Sequence, residues 1–139
     1  MFPFYFTFRP NWQLAPLAFW VHVPMDDSKT DFIPAAPVEV PHRGYPFLHV
    51  EVGEVELQFS SLEQLDHFIE VIDASPLPTT RQLSTLRGST VGPNGHWLSR
   101  LPARLKSPKE RVKLVSGLRK IRAELGPLGD RWDRVSHLL

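Results

Sequence analysis

The chain has 139 residues, 42% of them apolar, and no cysteine. That length fits one domain with a packed core, and the lack of thiols excludes a disulfide framework, a thiolate metal site and a thiol nucleophile. The formal charge of +1 hides a division: residues 1–79 carry three basic side chains (Arg9, Lys29, Arg43) against eleven acidic ones, whereas residues 80–139 carry thirteen Lys and Arg against Glu110, Glu124, Asp130 and Asp133.

No basic region precedes an apolar run at the N-terminus, so no signal peptide is expected. The longest apolar stretch, Leu14 to Val23, is too short to span a bilayer and predicts no membrane partner. Nothing in the composition requires an oxidising compartment, and a cytoplasmic location is expected.

Phe2, Phe4, Phe6 and Phe8 recur at period two, which predicts a strand with one aromatic, buried face. Leu17, Phe19, Val21 and Val23 repeat that period and predict a second strand after a bend at Pro16. Residues 24–46 contain Pro24, Pro34, Pro37 and Pro41, so they read as a long loop with room for a short edge strand at Val38 to Val40.

Residues 47–59, FLHVEVGEVELQF, carry the clearest local signal. Gly53-Glu54 has glycine first, as a type II′ hairpin turn needs. The resulting register pairs Val52 with Val55, Val50 with Leu57 and Leu48 with Phe59 on one face. Glu51 then stands opposite Glu56 and His49 opposite Gln58. Like charges so placed are unfavourable and call for a nearby cation.

A helix over 61–73 follows, opened by the capping box Ser60-Ser61-Leu62-Glu63. Leu62, Leu65, Phe68, Ile69 and Ile72 form its apolar stripe, packed on the hairpin, while Glu63, Asp66, His67, Glu70 and Asp73 face outward. Beyond Pro76 and Pro78 the charge changes sign. Thr79 to Gln82 offers a capping box for a short helix closed by Gly88. Pro93 offers the first residue of another, through His96, Trp97, Leu98 and Leu101.

The last long helix starts at Ser107-Pro108-Lys109-Glu110 and ends at Gly126. Leu114, Leu118, Ile121 and Leu125 lie on one side of it and Lys109, Lys113 and Lys120 on the other, with Arg111 and Arg122 flanking the apolar stripe. The tail GDRWDRVSHLL, residues 129–139, predicts a final short helix with Trp132, Val135 and Leu139 inward. The fold class expected is α+β: an antiparallel sheet of four to five strands covered by a helix, followed by a small helical C-terminal part. This is one domain over 1–139, with an acidic, strand-rich part at 1–78 and a basic helical part at 79–139.

Clustered cations neutralise phosphates and gain counterion-release free energy, so Arg100, Arg104, Lys106, Lys109, Lys113 and Lys120 are the candidate contacts to nucleic acid or a nucleoprotein complex. Glu51, Glu54 and Glu56 are the candidate acidic face for a protein partner with a basic surface. A third arrangement has the two halves neutralise each other, within one chain or between chains. His67 between Glu63 and Glu70, and His49 near Glu51 and Glu56, are the carboxylate-histidine pairings on offer. Neither is framed by a nucleophile elbow, a phosphate loop or a zinc motif. No catalytic residue, metal site or cofactor is expected.

Residues 80–102, with Leu83, Ser84, Gly88 and Trp97 at the apolar, small, turn and packing positions, partly resemble a helix-turn-helix, although Gly92 to Gly95 lengthens the turn. That resemblance implies a groove-facing helix bearing Asn94, His96 and Arg100. The tract PNGHWLSRLP followed by a basic helix resembles uncharacterised small accessory proteins of bacterial plasmids and integrative mobile elements. It implies accessory roles such as DNA maintenance or anti-CRISPR-like inhibition of nucleic-acid-guided host defence, and it transfers no site residues.

Overall fold

A computed structural model of the chain describes residues 2–25, 31–79, 82–83, 97–126 and 132. It has mixed helix and strand, as the α+β expectation requires. Three antiparallel strands, β1 (Phe4–Arg9), β4 (Tyr45–Val52) and β5 (Val55–Phe59), form a sheet in the order β1-β4-β5. Two residues each of β2 (Val23–Pro24) and β3 (Phe32–Ile33) pair separately.

The hairpin forms in the expected register, Val52↔Val55, Val50↔Leu57 and Leu48↔Phe59, with Glu51↔Glu56 and His49↔Gln58 on the other face. Gly53 has φ of 63°, which puts the positive angle at the first turn position and matches the type II′ choice. β1 joins the opposite edge of β4 and aligns Phe4 with Val50 and Phe6 with Leu48. Because side chains alternate across a strand, Phe4, Phe6, Leu48, Val50, Leu57 and Phe59 share one face. That face meets α2 (Leu62–Asp73) and α4 (Pro108–Glu124) in the main core, where Leu65, Phe68, Ile72, Leu114, Leu118 and Ile121 are buried.

Among the described residues the sheet has fewer strands than the four to five expected. Leu17 to His22 is not a strand, and only Val23 enters one, as the first residue of β2: the Val21 amide donates to the Leu17 carbonyl and the His22 amide to that of Ala18, closing the short helix α1 (Ala18–Val21). Helical spacing sends Leu17 and Trp20 together into the main core and Ala18 into a second cluster with Trp12 and Phe47. Strand alternation would have put Leu17 and Trp20 on opposite sides. At Val38 to Val40 the expected edge strand reduces to one bridge between Val40 and Gly44, and Val38 is exposed. The second cluster covers the outer side of the sheet at its Tyr45–Phe47 end.

The start of α2 is shifted by one residue from the sequence reading. Ser61 is the cap, accepting from the Gln64 amide, and Gln64 Oε1 accepts from the Ser60 amide. Glu63 is left exposed. Ser61 also meets His22: the two are 2.8 Å apart at Oγ and Nε2, and His22 Nδ1 lies 2.9 Å from the Pro34 carbonyl oxygen. A carbonyl only accepts, so Nδ1 carries the proton, and in the neutral ring Nε2 accepts from the Ser61 hydroxyl. With Ser60 donating to the Trp12 carbonyl, this buried knot ties residues 12–34 to the start of α2. Ser61 and His22 have nucleophile-and-base spacing, but both are buried and act as a clamp.

α4 runs as expected from the Ser107 cap to Gly126, whose φ is 92°. Gly117 in its middle is explained by Phe2, whose ring occupies the space that a Cβ there would need. At 79–83 the expected capping box is present, with Thr79 and Gln82 exchanging side chain to amide bonds. The remainder of that helix, the Gly92 to Gly95 turn, Asn94 and His96 lie outside the described residues. Within the expected helix from Pro93, α3 (Trp97–Arg100) is helical. Of the tail, Trp132 is buried with its ring edge-on to Phe6.

Candidate functional site

The basic part presents two classes of cation. Arg111, on the core-flanking side of α4, donates through Nη1 to the Ile72 and Ala74 carbonyls and so satisfies the C-terminal end of α2. Arg119 meets Asp73 at 2.7 Å and Arg122 meets Asp66 at 2.8 Å. Acidic α2 and basic α4 thus neutralise each other in part within one chain, through arginines.

The lysines behave differently. Lys109, Lys113 and Lys120 are exposed on the outer face of α4, because the other face is committed to Leu114, Leu118 and Ile121. Lys113 reaches Glu110 at 3.7 Å, an exposed pair one turn away, worth little in water. Lys109 and Lys120 make no ion pair among the described residues. Lys113 and Lys120 border one shallow concavity together with Ser116, Gly117 and Phe2.

Arg100, Arg104 and Lys106 do not join that stripe by helical continuity, since Pro102 and Ser107 separate them from α4. Arg100 closes α3 and borders a groove along β5. Arg104 belongs to the 3-10 turn Ala103–Lys106, and its guanidinium lies beside Gly53 at the hairpin tip. The expected contacts therefore do not form one surface: Lys109, Lys113 and Lys120 make a stripe, Arg100 and Arg104 lie beside the hairpin, and Lys106 ends the 3-10 turn.

The acidic face divides too. Glu51 and Glu54 are exposed and make no ion pair among the described residues. Glu56 is held in a network: the Tyr5 hydroxyl donates to its Oε1 at 2.5 Å and Gln58 donates to its Oε2 at 2.9 Å. His49 is stacked on Tyr5 with ring centroids 4.7 Å apart. Its Nε2 is 2.5 Å from Thr7 Oγ1, and its Nδ1 lies 3.3 Å from Glu56 Oε1 without hydrogen-bond alignment.

The Tyr5 hydroxyl bond, with support from Gln58 and His49, holds the Glu56 carboxyl below the usual range, against a smaller upward push from burial. The same bond to Glu56 pushes the Tyr5 phenol up. The unfavourable Glu51–Glu56 opposition is thus relieved at Glu56 by a phenol, an amide and an imidazole rather than by the cation that the pattern called for. Tyr5 escapes a sequence reading because β1 and the hairpin lie far apart along the chain, with α1 and the β2–β3 pair between them. The available signal is the alternation itself, which puts Tyr5, Thr7 and Arg9 on the face opposite the partly buried Phe4, Phe6 and Phe8.

His67, between Glu63 and Glu70 on the sequence, is half-buried with its ring edge-on to Trp97. Burial lowers its imidazole pKa, and Glu70 offsets that only in part. Among the described residues no group of His, Asp and Glu is arranged to hold a metal ion, and no helix is long and apolar enough to cross a membrane. No protein-family model matches the chain, and neither a curated protein nor a solved structure is significantly similar to it.

Proposed function

We propose that this chain is a non-enzymatic cytoplasmic binding protein that contacts nucleic acid, or a nucleoprotein complex, through the lysine stripe of α4. The observation that carries the reading is the division of labour among its cations. Arg111, Arg119 and Arg122 serve the fold, whereas Lys109, Lys113 and Lys120 face outward. The three lysines extend along about 16 Å of helix at 1.5 Å per residue, a length that faces several phosphates of one strand. Ser116, within the same stripe, adds a hydroxyl that donates to a phosphate oxygen.

A titration of mixed-sequence duplex DNA and single-stranded RNA across a salt series tests the reading. Binding should weaken linearly in log–log form as counterions are released. No binding at low salt would overturn it.

Glu51 and Glu54 favour a second reading, that of a mobile-element inhibitor resembling anti-CRISPR proteins, whose carboxylates stand in for phosphates in a basic nucleic-acid channel. Glu56 lies beside them, with its carboxylate oriented by Tyr5 and Gln58. Glu51→Lys with Glu54→Lys should abolish inhibition of a purified CRISPR effector, and unchanged inhibition by the folded variant would reject that face.

A further inference from the structure

Among the described residues β5 is an outer strand, paired with β4 along one edge. The hairpin register determines which of its backbone groups are used. A two-residue turn makes Val52↔Val55 a hydrogen-bonded pair, and antiparallel alternation extends this to Val50↔Leu57 and Leu48↔Phe59. The amides and carbonyls of Glu56 and Gln58 therefore point away from β4. The other side of β4 is consistent: the Glu51 amide donates to the Pro3 carbonyl at 2.9 Å, toward β1.

Along that outer edge runs a groove of about 180 Å³, walled by β5 on one side and by α3 and Pro102 on the other. Its apolar lining includes Leu57, Phe68, Trp97 and Leu101. The volume is below the roughly 300–1,000 Å³ of sites for drug-sized ligands. It equals about six water volumes, the scale of one apolar side chain with adjoining backbone. Val55–Phe59 contains no lysine, proline or bulge to block an added strand, and its one charged side chain is Glu56. Of the charged groups lining the groove, Glu56 is held by Tyr5 and Gln58, while Arg100 is exposed and makes no ion pair among the described residues.

We propose that the β5 edge binds an extended segment of a protein partner as an added strand, with an apolar side chain opposite Leu57 and a neighbouring carboxylate on Arg100. Backbone pairing to Glu56 and Gln58 supplies affinity, and the alternate pocket and the guanidinium supply selectivity. This surface is independent of the lysine stripe and stands or falls without it.

The test is a titration of the full chain with the peptide acetyl-Glu-Val-Glu-Leu-Glu-amide, followed by backbone amide shifts in NMR. The largest shifts should fall at Glu56 and Gln58, and Arg100→Glu should weaken binding about tenfold or more. Lys109→Ala with Lys113→Ala and Lys120→Ala should leave it unchanged. Gln58→Pro removes an outward amide that an edge strand tolerates losing, and it should abolish binding. Methylation of the peptide's central amides should do the same without altering the protein. Shifts centred on α4, binding that survives peptide methylation, or no shifts at millimolar peptide would overturn the proposal. So would light scattering that shows β5 closed by a second copy of the chain, with Gln58→Pro restoring the monomer.

Discussion

Replacing Ser61 with alanine removes two interactions at one atom. Its oxygen accepts from the Gln64 amide at 3.2 Å and its hydroxyl donates to His22 Nε2 at 2.8 Å, with both side chains buried. Loss of a serine cap costs about 1 kcal/mol. Leaving a buried ring nitrogen without its donor costs about 1–3 kcal/mol more. The expected sum is about 2–4 kcal/mol. At a slope of roughly 1–3 kcal/mol per molar urea, this lowers the unfolding midpoint by about 0.7–4 M with the slope unchanged. Ser61→Thr should recover most of the loss, because it keeps the hydroxyl. In a His22→Phe background Ser61→Ala should cost only the cap, about 1 kcal/mol. A loss under about 1 kcal/mol in the natural chain, or strict additivity with His22→Phe, would refute the clamp.

Gly117→Ala should change sign with its neighbour. Alone it destabilises slightly, because displacing the Phe2 ring outweighs the roughly 1 kcal/mol gained in helix propensity, whereas in a Phe2→Ala background it stabilises by about that amount. Stabilisation in both backgrounds, read from urea midpoints, would contradict the packing account. His67 makes stability sensitive to acid. Its folded pKa is depressed by burial, so as pH falls through about 6.5 the unfolded chain takes up a proton that the folded chain resists, and stability declines. A His67→Gln variant should show a shallower decline from pH 7.5 to 5.5 than the natural chain, and an identical slope would remove His67 from the explanation. Arg111→Met should cost about 1–2 kcal/mol through the orphaned Ile72 and Ala74 carbonyls, and Arg119→Met under about 1 kcal/mol, since its pair with Asp73 is exposed. Equal losses in thermal melts would contradict that ranking.

Elements whose signals are local were legible in the sequence. The hairpin combined period-two patterning with a turn that demands glycine first, and both led to one register. α4 combined a serine cap, a proline at the first helical position and a terminal glycine. Leu17 to Val23 misled because apolar residues fill both its odd and even positions, so period two and a single helical turn fit equally, and only the two clusters it bridges decide between them. The cap of α2 slipped by one residue because two serines precede two acceptor-bearing side chains, and the choice depends on His22 and Trp12, dozens of residues away.

The candidate site followed the same rule. Lys109, Lys113 and Lys120 could be placed on an exposed stripe from helical spacing alone. The engagement of Glu56 by Tyr5, the position of Arg104 at the hairpin tip and the groove beside Arg100 depend on which strand lies next to which. That information resides in tertiary packing rather than in any local window.

The claim that the lysine stripe is the working surface is tested most directly by the salt slope of duplex DNA binding in two variants. Lys109→Ala with Lys113→Ala and Lys120→Ala should reduce the slope of log K against log salt by about 0.9 per lysine. Arg119→Ala with Arg122→Ala should leave the slope nearly unchanged, because those cations serve Asp73 and Asp66. A natural chain with no measurable slope, or a triple-lysine variant that keeps the full slope, would contradict the account.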